Sequence, residues 1–321
     1  MKKSLNAIMA CALAGAALAG GAAQAQGWTA TQPVRIVVPF SAGGGSDVAA
    51  RLLAQNLGNS LGQPVVVENK PGASGAIASD IVYSAAPDGH TMLLGTADTQ
   101  GMTPHVNKVR YDSMKYVPVA GIAKVSYMLV GRPGLKAADL KALVEQSKTT
   151  SFSYGTSGTG AAAHVQTSMF LNAAKITNML HVPFQGVAPA FQAMLADQVD
   201  LTMVPVALAA QYRGKIRFYG IASLHRADAL PDVPTLAEQG YPVDGDPWVG
   251  LLAPPGTPEA AANAISEKVR AVLAQPDVQK KLRELGMTPY LDSRAEFISF
   301  YKKDYPKWGE AIRAAGVVEA K

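Results

Sequence analysis

Short β-branched runs that pass through glycine into apolar residues at helical spacing recur along the chain. Val34, Ile36, Val37 and Val38 form a strand-like run ending at Pro39. Gly43, Gly44 and Gly45 then open a segment in which Val48, Leu52, Leu53, Leu57 and Leu61 predict an amphipathic helix. Val65, Val66 and Val67 give a second strand and close a βαβ unit, followed by a helix over 77–85, a turn at Pro87-Asp88-Gly89 and a strand over 91–95. A second series repeats the plan, with a strand over 127–130, a helix over 138–146 and a strand at Phe152, Ser153 and Tyr154. That strand runs into the glycine-rich turn Gly155-Thr156-Ser157-Gly158-Thr159-Gly160, and the next helix carries Val165, Met169 and Ala173 on one face.

The last third reads as helical. Thr257-Pro258 is an N-cap with proline at the first helical position, and Ile265, Val269, Val272 and Leu273 give that helix its buried stripe. Gln275-Pro276 interrupts it before a helix with Val278, Leu282 and Leu285 that ends at Gly286. Ser293-Arg294-Ala295-Glu296 is a capping box opening a terminal helix with Phe297, Phe300, Tyr301 and Trp308 toward the core. Strands this apolar, without clean alternation, belong to sheets covered by helices on both faces. The predicted class is α/β, as two lobes built the same way, each a doubly wound sheet.

The N-terminus adds a compartment. Lys2 and Lys3 precede an apolar run over 8–19, and Ala23-Gln24-Ala25 has the small-x-small pattern of a cleaved leader, so a signal peptide over 1–25, cut after Ala25, is expected to export the chain. The run is too short to span a bilayer, which takes roughly 20 apolar residues. The single cysteine, Cys11, leaves with the leader, so a disulfide cannot stabilise the mature protein and burial must do so. The 321 residues suggest two domains of roughly 150 residues each once the leader is gone. Loss of Lys2 and Lys3 lowers the formal charge from +5 to +3. Basic residues are scattered, with Lys280, Lys281 and Arg283 the densest group, read as a solvated helix face. No basic stripe interleaved with aromatics points to nucleic acid.

Candidate chemistry lies at the two glycine-rich turns. A strand that feeds a tight turn into a helix leaves the first helical N–H groups without acceptors, aimed at whatever lies beyond the strand end. The helix dipole adds roughly half a positive charge there, so a carboxylate can be held without arginine. Ser46 or Asp47 can cap the first helix, and Asp47 with Arg51 has i,i+4 spacing; a tight turn with a cap is the plainer reading. A P-loop is excluded because no lysine occurs between Arg35 and Lys70. The dinucleotide fingerprint fails at Val48, although Glu68 mimics the ribose-binding acid, so a nicotinamide enzyme stays open as an alternative. A nucleophile elbow fails because Thr159 stands where its last glycine belongs; a hydrolase using Ser157 and His164 is the other enzymatic alternative, and His164 reads as a capping or core histidine before any catalytic role. No His/Cys/Asp/Glu cluster has metal-ligand spacing, and no cofactor is expected.

The segment Pro39-Phe40-Ser41-Ala42-Gly43-Gly44-Gly45-Ser46-Asp47 with Ala50-Arg51 resembles the first signature of the tripartite tricarboxylate transporter receptors, the Bug proteins. Glu68-Asn69-Lys70-Pro71-Gly72-Ala73-Ser74-Gly75, Pro87-Asp88-Gly89-His90-Thr91, His181-Val182-Pro183-Phe184-Gln185-Gly186, Leu230-Pro231-Asp232-Val233-Pro234-Thr235, Trp248-Val249-Gly250 and Ala253-Pro254-Pro255-Gly256-Thr257-Pro258 follow in the family's order. The resemblance implies a two-lobed periplasmic binding protein of the Venus-flytrap kind, each lobe a mixed sheet flanked by helices, with residues 26–124 and 236–321 in one lobe and 125–235 in the other. It implies a non-enzymatic solute receptor for a small mono- or dicarboxylate, with aromatic acids and amino acids among the candidates. The partners would be membrane permease subunits or, alternatively, a membrane signalling protein, and the receptor would be monomeric.

Mapped by motif, the implied ligand contacts are Phe40, Ser41, Gly43, Gly44, Ser46 and Asp47 on the first loop and Thr156, Ser157, Gly158, Gly160 and His164 on the second. Thr96, Asp98 and Thr99 after the third strand, Phe184 and Gln185, and finally Asp200 and Pro205 line the remainder. The chain departs from the family pattern at Phe184-Gln185, where a tyrosine and a lysine are usual, and at Ser41, where proline is frequent.

Overall fold

The computed structural model describes residues 27–317 apart from Gly44, Gln185 and Ala315. The expected leader with its cut after Ala25, and the candidate contacts Gly44 and Gln185, lie outside the described residues. Two sheets carry the fold. The first contains β1 (Val34–Val38), β2 (Val65–Asn69), β3 (Thr91–Thr96) and β4 (Val117–Val125). The second contains β5 (Tyr127–Gly131), β6 (Ser153–Thr156), β7 (Leu180–Pro183), β8 (Leu201–Pro205) and β9 (Arg217–Ile221), and the chain then returns to add β10 (Trp248–Ala253) and β11 (Met287–Pro289) to the first. The strand orders are β11-β4-β10-β3-β1-β2 and β7-β6-β8-β5-β9.

β1 pairs in parallel with β2 on one side and β3 on the other, and β6 does the same with β7 and β8. Each lobe therefore has a switch point where successive connections leave in opposite directions, which opens a crevice beyond the carboxyl ends of the strands. The glycine-rich turns follow β1 and β6, so the topology puts both at such crevices. Antiparallel β10 and β5 make each sheet mixed.

Helices cover both faces. α1 (Gly45–Leu61) buries Ala49, Ala50, Leu52, Leu53, Leu57 and Leu61 over the first sheet. Val48, expected on that stripe, is 37% exposed, because the buried arc begins one position later. The opposite face packs α2 (Ala76–Tyr83) with a π-helical turn (Ala97–Met102) and short α3 (Thr103–Val106). In the second lobe α4 (Leu140–Gln146) and α5 (Ala162–Ala173) lie on one face, and α6 (Val187–Leu195) with α7 (Val206–Ala210) on the other. α8 (Glu259–Leu273) and α9 (Pro276–Glu284) return to the α1 side, and α10 (Arg294–Ala314) closes the other. α8 starts one residue later than expected: the Thr257 hydroxyl donates to Pro254 O at 2.9 Å, and Pro258 is the boundary residue. The Ser293–Glu296 box forms as read, with Ser293 N donating to Glu296 Oε2 at 2.7 Å and Glu296 N donating to Ser293 Oγ at 3.3 Å.

Two crossings join the lobes. Only Ser126 separates β4 from β5, and the return passes through Asp246 and Pro247 into β10. The crossings lie side by side, with Val125 N donating to Pro247 O at 2.8 Å and Ser223 Oγ donating to Asp246 Oδ2 at 2.6 Å. Leu236, Tyr241 and Val243 pack with the second sheet, so the return falls after Val243 and not at the expected boundary after residue 235. Leu236 N donates to Ile221 O at 2.8 Å, which ties this segment to β9.

A third link is α5. Ala163, Phe170 and Leu171 face the second sheet, while Ala162 and Val165 join the first lobe's cluster with Trp308 and Ile312 of α10. That cluster encloses Asp304, whose Oδ2 accepts from Trp248 Nε1 at 2.6 Å and Trp308 Nε1 at 3.0 Å. Burial pushes this carboxyl up to about 6, against the indole donors and Lys307, which pull it down. A folded pKa above the unfolded value means that the folded state loses stability as pH rises between the two. Asp304→Asn keeps an oxygen for the indoles and removes the buried charge. It is expected to stabilise the protein by up to about 3 kcal/mol at pH 8 in denaturant unfolding and by less at pH 5, whereas Asp304→Ala, leaving two indole donors unpaired, lowers stability at both.

Candidate functional site

The carboxyl ends of β1 and β3 are neighbours in one sheet and those of β6 and β8 in the other, and the turns after β3 and β6 touch across the lobe boundary. Residues 40–47 follow β1, residues 97–99 follow β3, residues 157–161 follow β6 and Pro205 ends β8. In the first loop Asp47, almost wholly buried, is committed to its own surroundings. Its Oδ2 accepts from Gly43 N at 2.9 Å and from Arg51 Nε at 3.0 Å, and Oδ1 accepts from Asn69 Nδ2 at 2.9 Å. The Arg51 guanidinium first, then the Gly43 amide and Asn69, overcome burial and hold the carboxyl at about 2. Asp47 thus shapes the loop, and its expected role as a ligand contact is replaced by that of a brace. Asn69 also donates to Phe40 O at 3.0 Å, which fixes the start of the loop to the end of β2. Ser41 and Gly43 are exposed and Ser46 is partly exposed, so this rim is accessible.

After β3, Thr96 caps the π-helical turn reciprocally with Thr99: Thr99 N donates to Thr96 Oγ1 and Thr96 N donates to Thr99 Oγ1, each at 3.2 Å. Both threonines are buried and serve the turn itself, again in place of the direct contact expected of them. Asp98 is held out between them. Its Oδ1 accepts the N–H of Ala162, the first residue of α5, at 2.9 Å across the lobe boundary. Burial raises its carboxyl above the usual range, with the Ala162 amide opposing. Beside it the first-lobe Val106 fills the space where a Cβ at Gly160 would stand, and Gly160 takes φ +77°, so only glycine fits this joint.

The second loop is braced from below by an aromatic stack. His164 lies 3.8 Å from His181 with the planes 6° apart, and Tyr154 stacks on His181 at 5.1 Å. His164 Nδ1 accepts from Gly160 N at 3.0 Å, and Thr156 Oγ1 lies 2.7 Å from His181 Nε2. Burial, then the neighbouring His181, lowers His164 to about 4, and burial lowers His181. Both rings are neutral at pH 7. Among the described residues no hydrogen bond joins Ser157 to His164, and Nδ1 is already occupied by an amide, which removes the geometry a serine hydrolase needs. Glu68, the acid a nicotinamide site would use, is paired with Arg35 at 2.9 Å and Lys70 at 2.8 Å.

Phe184 packs where a Cβ at Gly155 would stand, covering β6, and Pro205 sits opposite Tyr127 in the β5–β8 register at the crevice end. Asp200 does not. It precedes β8 at the far end of the sheet, where it pairs with Arg132 Nε at 3.0 Å and accepts from Ser153 N at 2.9 Å. A parallel strand places its start and its carboxyl end about 3.3 Å apart per residue, so this acid ties strand starts together and is removed from the crevice. Tyr127, not singled out from the sequence, is brought in: the charge of Asp98 adds to burial in raising its phenol. Its only signal is its place as the first residue of the strand after the crossing. A groove of about 420 Å³ also opens between the lobes beside Ser126, Val206 and Met287. Among the described residues no group of three or more His, Cys, Asp or Glu can hold a metal ion, and no helix is long and apolar enough to cross a membrane.

The sequence model of the tripartite tricarboxylate transporter family receptor matches residues 49–317. The chain belongs to that family. Its members are solute-binding receptors and not an enzyme class. Among solved structures the chain resembles the periplasmic binding protein BugD, with 33% identity over 90% of this chain and 99% of that one and a TM-score of 0.78. It also resembles an R. palustris protein solved with adipate, with 29% identity over 90% and 98% of the two chains and a TM-score of 0.81. MatC from Rhodopseudomonas palustris with bound malate shares 30% identity over 88% and 99%, with a TM-score of 0.75. The two sheets flanked by helices are the two-lobed α/β fold of these periplasmic binding proteins.

Two measurements check the receptor's brace assignments. Because His164 refuses a proton that the unfolded chain takes up below about pH 6.5, its contribution is full above that pH and lost as pH falls toward 4. Wild type is expected to lose about 2 kcal/mol more than His164→Gln between pH 7 and pH 5; equal losses would remove the stacked pair as the cause. Asp200→Asn is expected to lower stability by about 1–3 kcal/mol and leave ligand affinity within twofold, and a large loss of affinity would return Asp200 to the binding site.

Proposed function

We propose that the protein is a periplasmic receptor that captures a small carboxylate between its lobes and delivers it to the membrane permease subunits of a tripartite tricarboxylate-type transporter. The observation that carries this reading is the Asp98 carboxylate on the Ala162 amide: the start of α5 donates to a carboxylate oxygen reaching over from the other lobe. A ligand carboxylate fits the same chemistry, with the rim of the β1 loop opposite it and backbone amides as donors in place of basic side chains. The relatives solved with adipate and with malate support the ligand class. The proposed site comprises Phe40, Ser41, Gly43, Gly44 and Ser46 of the first lobe, Asp98, and Ser157, Gly158, Phe184, Gln185 and Pro205 of the second, to which Tyr127 is added. The lobes are taken to meet at Ser126 and at Asp246–Pro247, and to close about the ligand there. A ligand that touches both halves favours the closed form by its differential affinity.

The test is a thermal-shift screen of mono- and dicarboxylates on the mature protein, followed by small-angle scattering with the strongest hit. Ligand at a hundred times its Kd is expected to stabilise by about 2.7 kcal/mol, and the radius of gyration to fall on binding. A panel in which neutral amides or amines stabilise and carboxylates do not would refute the ligand class, and a bound ligand that leaves the scattering curve unchanged would refute closure.

A further inference from the structure

Three acids belong to the candidate set, and two of them are neutralised by a built-in cation: Asp47 by Arg51 at 3.0 Å and Asp200 by Arg132 at 3.0 Å. Asp98 is the exception. Among the described residues it takes part in no ion pair, and its one cross-lobe partner is the Ala162 amide. It is partly accessible although it stands between the lobes, and Tyr127, also partly accessible and deep, feels its charge. An acid that is surrounded by protein and still has accessible surface borders the space between the lobes, so a captured ligand meets it.

We propose that Asp98 determines the ligand class, admitting carboxylates that also carry a protonated amine, of the α-amino-acid kind, and disfavouring dicarboxylates and simple acids. The inference rests on the carboxylate-receptor reading and deepens it. A second anion brought beside an unpaired carboxylate in a space shielded from water is repelled, and the fixed charge cannot be screened there as it is at a surface. An ammonium group placed beside the ligand's own carboxylate reverses the sign of that interaction. It also supplies the cation that Asp47 and Asp200 find within the chain. The Ala162 amide, at the positive end of a twelve-residue helix, fixes the position of Asp98 and favours its ionised form against the burial that raises its carboxyl. An ammonium group brought beside it would favour the ionised form further. Tyr127 adds a phenol that can donate to the same carboxylate or to the ligand.

Matched pairs that differ only by the amine test this directly. Calorimetry of wild type and Asp98→Asn is run with propionate and alanine, succinate and aspartate, glutarate and glutamate, and 3-phenylpropionate and phenylalanine. Wild type is expected to bind the amine-bearing member of at least one pair ten-fold or more tighter than its counterpart, and Asp98→Asn, which retains an oxygen for the Ala162 amide, is expected to abolish that preference. Tighter binding of the amine-free members by wild type overturns the proposal and leaves the carboxylate receptor standing. A preference unchanged in Asp98→Asn overturns the role of this residue. If no member of any pair and no other carboxylate binds wild type, the receptor reading itself fails, and the proposal with it. The wild-type comparison needs no variant, so impaired folding of Asp98→Asn, checked by its thermal unfolding, does not decide the outcome.

Discussion

The first turn of α5 has amides that its own helix cannot satisfy, and the rest of the molecule is arranged around that fact. Ala161, at its N-cap, offers no side-chain acceptor, so the acceptor comes from the other lobe, through Asp98 on a turn that Thr96 and Thr99 lock by capping each other. Gly160 next to it permits the approach of Val106, and His164 returns from within the helix to take the Gly160 amide. The helix start is thus shared between two half-molecules.

The apolar side of the same helix has a parallel role. Val165 and Ala162 are packed against the aromatic cluster of α10, whereas Phe170 and Leu171 belong to the second sheet. Separating the lobes would expose part of that face, at a cost of about 25 cal/mol per Å² of apolar area. Polar satisfaction at the helix start and burial along its flank therefore favour the same arrangement.

Much of the fold was legible because the βαβ units announce themselves: Val34 to Val38 into three glycines, and Phe152 to Tyr154 into the second glycine turn, fall where β1 and β6 are. The box at Ser293 and Glu296 was equally plain, since both partners lie within one turn of chain. What escaped depends on contacts between distant residues. β4, β8, β9 and β10 are recognisable as strands only through their pairing, and Leu236 joins the second lobe because β9 offers it a partner. At the site, the family motifs name loops and not the direction of each side chain. Asp47, Thr96, Thr99 and Thr156 stand on the loops so named, and their polar atoms are engaged by neighbours. Asp200 stands at the start of β8 and not at its carboxyl end, and Tyr127 and His181 matter through partners distant along the chain.

The two chain crossings are hydrogen-bonded neighbours, which limits how the halves could move once the packing of α5 between them is released. Val125 and Pro247 form a narrow strip of paired backbone that resists shear and twist more than bending, so the proposed closure would be a rotation about a line near Ser126. Points far from that line travel furthest for a given angle. Under that closure a small change of backbone torsion at the crossings would open a wide mouth and change the outer surface that the molecule presents.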